Sequence, residues 1–452
     1  MALTQTEKAS ILANLSAVLA TQEGIEKIAT HVADGDIIVD ELANTGSLTP
    51  DYRQKITDKV VALKADKTED NLWQQAVAQN TIDAYQNYLT AYPAGKYTAQ
   101  ANTMIAGLQQ QQRQSQKQQY LEVLRSDINA YNTTELKMYG ITYDDIVGAG
   151  INLPNGIRGI WDDAGINLGS GKTPDSLQSG RTEIYFWGTP GSGKTCTLAA
   201  LLSTANKNGF FMGSECAGYD YMAKLSNFFY KSVATLPAPT PVQVTQELSF
   251  DLLDDKAVHH PVTLVDISGE IFRCFYKKIS YPDTPISPDL LSTYNTLCAF
   301  LKSGNPKYHF FVIDVHNKDV DADGLRQTDY LAAAAQYFDA NNILNSSTAG
   351  ISIIATKSDL LGATTAERQQ NAKEFLNAEY KSFVNTIKSI AYKNKLINKS
   401  TDPIPLIPFT LGNVYLQNKC LFNQETSKDV IRFLQQNVAK TSVKRKFGWL
   451  NR

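Results

Sequence analysis

The hydrophobic positions of this chain change period partway along it. Over residues 1–120 apolar side chains recur three or four apart, the spacing of amphipathic helices, and strand-like runs are few. Breakers at Gly35, Gly46, Pro50 and Pro93 divide that stretch into several helices. From Arg181 onward, short apolar runs alternate with amphipathic stretches, the pattern of strands in a mainly parallel sheet with helices on its faces. The expected fold is therefore α/β: a three-layer domain with a mainly parallel sheet over 181–440, preceded by an all-α helical domain over 1–120. Residues 121–180 read as a helical hairpin and linker, and 441–452 as a basic tail.

Within the helical region, NTIDAYQNYLTAYPAGKYTAQANTMIAGL places Tyr85, Tyr88, Leu89 and Tyr92 on one helix face opposite an alanine-rich partner. This stretch resembles one helix-turn-helix unit of tetratricopeptide-like proteins, which implies a surface for a protein partner. One unit is short of the roughly three repeats that bury a continuous solenoid face, so a small bundle fits equally well. Gln109 to Gln119, QQQQRQSQKQQ, suits an exposed helical connector. A shift of 104 residues aligns Asp36–Ile56 with Gly140–Ile160, matching Ile37 with Ile141, Gly46 with Gly150 and Pro50 with Pro154. These two segments read as copies of one short helical hairpin.

The candidate chemistry lies where the pattern switches. GSGKT occurs twice, at Gly169–Thr173 and at Gly191–Thr195, and the flanks separate the copies. EIYFW, a strand-like run, precedes the second copy and CTLAALLSTA, a strong helix former, follows it. Between them GTPGSGKT fits G-x-x-x-x-G-K-[ST], a strand–loop–helix phosphate cradle built from backbone N–H groups, a lysine and a hydroxyl. The first copy has Ile166 at the opening-glycine position and Pro174 where a helix would begin, so it reads as linker.

Further on, TQELSFDLLDD and HPVTLVDISGE read as two strands joined by a turn, the second delivering Asp266 and Gly269. YHFFVIDV and GISIIATKSDLL supply two more strands. The latter ends in Thr356, Lys357 and Asp359, at the strand edge where open α/β sheets bind ligands. A carboxylate there accepts from both N1–H and the 2-amino group of guanine, and is left unpaired by adenine.

These motifs resemble those of the Ras-like P-loop GTPases, in that family's order, from about Arg181 to Lys440. The resemblance implies GTP or GDP as the bound nucleotide, held with Mg²⁺. It implies phosphate binding along Gly188, Thr189, Pro190, Gly191, Ser192, Gly193, Lys194, Thr195 and Cys196, and Mg²⁺ ligation by Thr195 and Asp266. Gly269 would sense the γ-phosphate, Thr356, Lys357 and Asp359 would read guanine, and Thr410 in PLIPFTLGN sits where a last, loosely defined motif touches the base.

Three departures accompany it. Glu270 stands where the family carries a water-orienting glutamine, so Lys194, Gly269 and Glu270 form the catalytic set with slow turnover expected. The switch threonine is assigned to Thr240, with Thr245 as the alternative. The long segment FRCFYKKISYPDTPISPDLLSTYNTLC is expected to add helices beside the second switch, and Arg273, Lys277 and Lys278 read mainly as solvated charges on them.

Composition narrows the picture only modestly. A net charge of −2 over 452 residues gives no reason to expect nucleic acid as the partner. The five cysteines have neither C-x-x-C spacing nor a histidine partner pattern, so reduced thiols in a cytoplasm are expected. No apolar run reaches membrane-spanning length, ILANLSAVLA reads as an amphipathic first helix, and SVKRKFGWLNR as a surface tail whose membrane contact would be peripheral at most. The function expected is a slow, Mg²⁺-dependent GTPase switch whose helical N-terminal region and switch loops meet a protein partner. The alternatives are a P-loop ATPase, or a scaffold that binds GTP without turnover.

Overall fold

The computed structural model describes residues 3–166, 168, 173–237 and 245–450, with side chains as far as Lys440. The Thr240 assignment and the Gly169–Lys172 part of the first GSGKT lie outside the described residues. The chain forms two compact units, Met1–Tyr120 and Leu121–Arg452.

The first unit is helical. Its longest helix, Pro50–Gln79, starts with proline at a first-turn position, where the missing N–H costs nothing, and is capped by the Thr49 hydroxyl. Left-handed Asn80 (φ 48°) stops it, and Thr81 caps the next helix, Ile82–Ala91. Tyr85 and Tyr88 are fully buried with Ala76 and Ala101, and Trp73 stacks on Tyr97 at 4.9 Å. A separate cluster gathers Leu15, Leu19, Ile28, Leu42 and Ile56. Helix Thr98–Ser126 carries the glutamine-rich stretch, which is largely exposed.

The two segments related by the 104-residue shift share buried Ile37 and Ile141 and left-handed Gly46 and Gly150. They diverge after the matched prolines, one opening the 30-residue helix at Pro50, the other the four-residue helix Asn155–Arg158.

The second unit is built on a seven-stranded sheet. Its strands are β1 (Thr182–Trp187), β2 (Phe211–Gly213), β4 (Thr245–Leu253), β5 (His259–Ile267), β6 (Lys307–Asp314), β7 (Thr348–Thr356) and β8 (Leu406–Pro408), ordered β2-β4-β5-β1-β6-β7-β8. β5, β1, β6, β7 and β8 run parallel, whereas β4 pairs antiparallel with β5 and β2 with β4. A second, antiparallel sheet joins β3 (Val233–Thr235), β10 (Lys419–Phe422) and β9 (Gly412–Tyr415).

Both faces of the large sheet are covered, which is why EIYFW has no polar alternation. Tyr185 and Trp187 point to a layer that includes helices Ile271–Ser280, Pro288–Leu301, Gln327–Ala340 and Lys381–Lys393. Ile184 and Phe186 point to the other layer, with helices Lys194–Lys207, Tyr219–Asn227 and the start of Glu425–Leu450. The backbone of that last helix runs on through the basic segment to Leu450. The expected extra helices beside Gly269 are Ile271–Ser280 and Pro288–Leu301.

Residues 121–166 are tied to the small sheet. The Ile128 carbonyl accepts from Leu416 N (3.2 Å), Asn129 Nδ2 donates to the Val414 carbonyl (3.3 Å), and Lys419 Nζ donates to the Asp163 carbonyl (2.6 Å). Among the described residues, no helix is long and apolar enough to cross a membrane.

Candidate functional site

β1 sits at the middle of the large sheet, between parallel β5 and β6, and its carboxyl end opens into the Gly188–Gly193 loop. Strand order departs in both directions from this point, the place where open α/β sheets form a crevice. Burial anchors the loop's approach: Trp187 is fully buried, and its indole N–H donates to His309 Nδ1 of β6 at 2.9 Å. That bond requires an unprotonated Nδ1, and burial pushes the His309 pKa down to about 3, so the imidazole is neutral.

The loop depends on glycine for different reasons at different positions. A side chain at Gly188 would lie 2.5 Å from Ser192 Oγ and 2.6 Å from the Val312 carbonyl oxygen. Gly191 (φ 75°) and Gly193 (φ 88°) are left-handed, and Gly193 is the N-cap from which helix Lys194–Lys207 departs. That helix directs its positive dipole end at the loop.

Lys194 is buried, and its Nζ donates to the carbonyls of Gly188 (2.6 Å) and Thr189 (3.2 Å). Burial pulls its amine down to about 8, against the opposing charges of Asp266 and Glu270. Asp266, the penultimate residue of β5, is fully buried; burial raises its carboxyl, while Lys194 and a 2.8 Å hydrogen bond donated by Tyr221 Oη lower it.

The turn after β5 presses on the same loop. A Cβ on Gly269 would meet Pro190 N at 2.4 Å and the Thr189 carbonyl carbon at 2.6 Å, so only glycine allows the two backbones to come this close. Glu270 follows at the N-cap of helix Ile271–Ser280, its carboxylate 3.0 Å from Arg273 Nη1.

The TKSD segment is docked on the loop as well. Thr356 Oγ1 donates to the Ser192 carbonyl at 2.8 Å, and a side chain in place of Gly193 would lie 3.5 Å from Thr356 Cγ2. Lys357 is left-handed (φ 57°), with its ammonium 2.6 Å from buried Asp314 Oδ2 at the end of β6. Asp359 is exposed on the short 3-10 turn that follows. The turn leans on β8: Ser358 N donates to the Phe409 carbonyl at 3.1 Å, which brings neighbouring Thr410 alongside. Thr410 is tied to Thr426, whose hydroxyl donates to its carbonyl at 2.6 Å.

Thus Gly188 through Cys196, Asp266, Gly269, Glu270, Thr356, Lys357, Asp359 and Thr410 share one edge of the sheet. Thr245, opposite Ile267 in the β4–β5 ladder, begins at the same edge. Among the described residues, buried polar atoms without a hydrogen-bond partner gather here: Ser192 Oγ, Thr245 Oγ1, the Gln246 amide, Asp266 Oδ1 and Ser358 Oγ. Orphaned polar atoms are rare inside proteins, and a cluster of them at a strand edge offers donors and acceptors for a polar ligand or ion. Among the described residues no group of three or more acidic, histidine or cysteine side chains is arranged for a metal, so an ion here would depend on ligand oxygens as well.

Four residues that sequence reasoning passed over, or left as surface charge, belong to this neighbourhood. Tyr221 and Asp314 partner Asp266 and Lys357, as described above. Buried Gln327 accepts from Thr189 Oγ1 (3.3 Å) and from Asp314 N (3.2 Å), and donates to the Asp314 carbonyl. Arg273 lines a cleft with Thr189, Pro190, Gly269 and Glu270. Only the last had a readable signal, its i,i+3 relation to Glu270.

No protein-family model matches the chain, and no curated protein matches it in sequence.

Proposed function

We propose that this chain binds GTP in the Gly188–Thr195 loop, a P-loop, and hydrolyses it slowly in the manner of a Ras-like switch, the helical N-terminal region and the loops around Gly269 meeting a protein partner. The observation that carries the reading is the Thr356–Ser192 hydrogen bond, because it joins the base-reading motif directly to the phosphate-cradling motif. A nucleotide lying along that edge would reach Lys194 with its phosphates and Asp359 with its base.

Each residue's part follows from its surroundings. Lys194 now holds loop carbonyls; phosphate oxygens would replace them, and a polyanion in a dry site restores the charge that burial opposes. Thr195 and Asp266 would hold Mg²⁺, which supplies positive charge against the phosphate oxygens. The orphaned Asp266 Oδ1 and Ser192 Oγ fit such an assembly. Gly269 offers its N–H to the γ-phosphate, and its close approach to Pro190 makes that turn respond to whatever fills the loop. Glu270 replaces a water-orienting glutamine, which fits slow turnover, and loop amides with Lys194 stabilise the charge that spreads as the γ-phosphoryl leaves.

Titration with fluorescent GDP and ADP tests the assignment. Tight GDP with ADP at least a hundredfold weaker is expected. Asp359→Asn should cost guanine about 1–3 kcal/mol and favour xanthine, whose 2-oxo group accepts where guanine donates. Tight ADP with no measurable GDP, or unchanged GDP affinity in Asp359→Asn, would end the guanine reading.

A further inference from the structure

Glu270 poses an electrostatic problem that the structure itself answers. Its backbone is pinned beside the phosphate loop, because Gly269 leaves no room against Pro190. A free carboxylate there would oppose a third phosphate. The carboxylate is not free: Arg273 Nη1 lies 3.0 Å from Glu270 Oε2.

The same guanidinium is held from the far side by the loop after β6. Its Nη2 lies 3.6 Å from Asp321 Oδ2 and its Nε 3.4 Å from Asp323 Oδ2, so three nitrogens face three different carboxylates. That acidic loop is itself fixed. Tyr330 Oη donates to Asp321 Oδ2 at 2.7 Å, and Asp321 Oδ1 accepts from Asp323 N at 2.9 Å. Gln327, two residues beyond the loop's last turn, binds Thr189 of the phosphate loop. Arg273 therefore has little freedom to leave, and its planar fork suits several carboxylates at once.

We propose that Arg273 is a positioning residue for the third phosphate: anchored by Asp321 and Asp323, it neutralises Glu270 and turns that carboxylate aside, so that GTP is accepted beside it. The inference rests on the guanine-nucleotide reading above. It predicts an effect confined to nucleotides with a γ-phosphate, since GDP places no charge next to Glu270. A purely structural arginine would affect both nucleotides alike.

The test is a double-variant cycle on the full-length protein at low salt, reading affinity for GDP and for a non-hydrolysable GTP analogue. Arg273→Ala is expected to weaken the analogue at least tenfold while GDP stays within about twofold. Adding Glu270→Gln to that variant should restore the analogue to within about threefold of wild type. Equal losses for the two nucleotides overturn the proposal, and so does an unchanged analogue affinity. Failure of the second substitution to rescue also overturns it, since Arg273 would then act on the nucleotide itself. A wild-type protein that binds neither nucleotide sinks the guanine reading and this inference together, whereas wild-type binding without the expected ratio change sinks this inference alone.

Discussion

At the scale of single residues, the site concentrates groups held in states that water would not favour. Lys194 is the clearest, an amine drawn down to about 8 because its surroundings are dry. A bound polyphosphate raises that value, so the complex holds a proton the free protein gives up. For the proposed nucleotide complex the sign follows from linkage: affinity is expected to be at its full value below about pH 8 and to fall as pH rises through the free-state value, approaching tenfold per unit. Titrating GDP between pH 7 and pH 9 should reveal the fall in wild type. Lys194→Arg, which stays charged, should bind more weakly at pH 7 yet lose little further affinity. Parallel pH curves for the two proteins would mean that the dependence belongs to guanine or to another group. Spacing alone singles out Lys194 and Asp359, because the motif demands those chemical types, and the fold brings both to the carboxyl edge of the sheet. Tyr221, Asp314 and Gln327 were not, because each acts through a partner far along the chain, and nothing local distinguishes them from other polar residues in an α/β layer.

At the scale of elements, the sheet separates function from support. Among the described residues, the carboxyl edge gathers the orphaned atoms of Ser192, Thr245, Gln246, Asp266 and Ser358, while the opposite end of β1 and β6 is closed by a buried charge network. There the Lys307 ammonium and Glu183 carboxylate are fully buried 3.7 Å apart, bonded further by Ser303, Asn305 and the Tyr185 hydroxyl. Replacing one partner strands the other charge, so Glu183→Ala should cost on the order of 3–5 kcal/mol in chemical denaturation. Guanine affinity of the protein that remains folded should stay within about twofold, since the change is at the far end of both strands. A mild stability loss with a large affinity loss would reverse that division of labour.

The long elements were the legible ones. EIYFW is β1, and the TQELSFDLL and HPVTLVDI runs are the antiparallel pair β4 and β5 with a nine-residue ladder. The short β2, β3, β8, β9 and β10 were invisible because three or four residues carry no period, and their pairing is set by tertiary contact. The left-handed Lys357 was equally hidden: a lysine with positive φ gives no signal in composition, and neither does its ion pair with Asp314.

At the scale of the whole molecule, the boundary between the two units falls earlier than the change in hydrophobic texture. The sheet pattern starts near Arg181, yet compactness assigns everything from Leu121 onward to the second unit. The reason is the small antiparallel sheet, which is bonded to the 128–163 segment: the Val414 carbonyl accepts from Asn129, while Leu416 N and Lys419 Nζ donate to the carbonyls of Ile128 and Asp163. Gly156 packs there too: a side chain in its place would meet Val233 Cγ2 at 2.9 Å. A sheet so small cannot cover itself, and its covering helices are short pieces that would not persist alone. The helical clusters around Ile28 and Tyr88, in contrast, use residues from the first unit only, and the two cores flanking the large sheet use none of them. Two chain cuts should therefore behave differently. The fragment 121–452 is expected to melt cooperatively and keep GDP affinity within about threefold of the full chain. The fragment 181–452, stripped of that cover, should aggregate or melt at a temperature lower by several degrees. Thermal unfolding and GDP titration of both fragments decide the matter: if 181–452 matches 121–452, the 121–166 segment is dispensable packing, and if 121–452 fails to fold, the second unit is not self-sufficient.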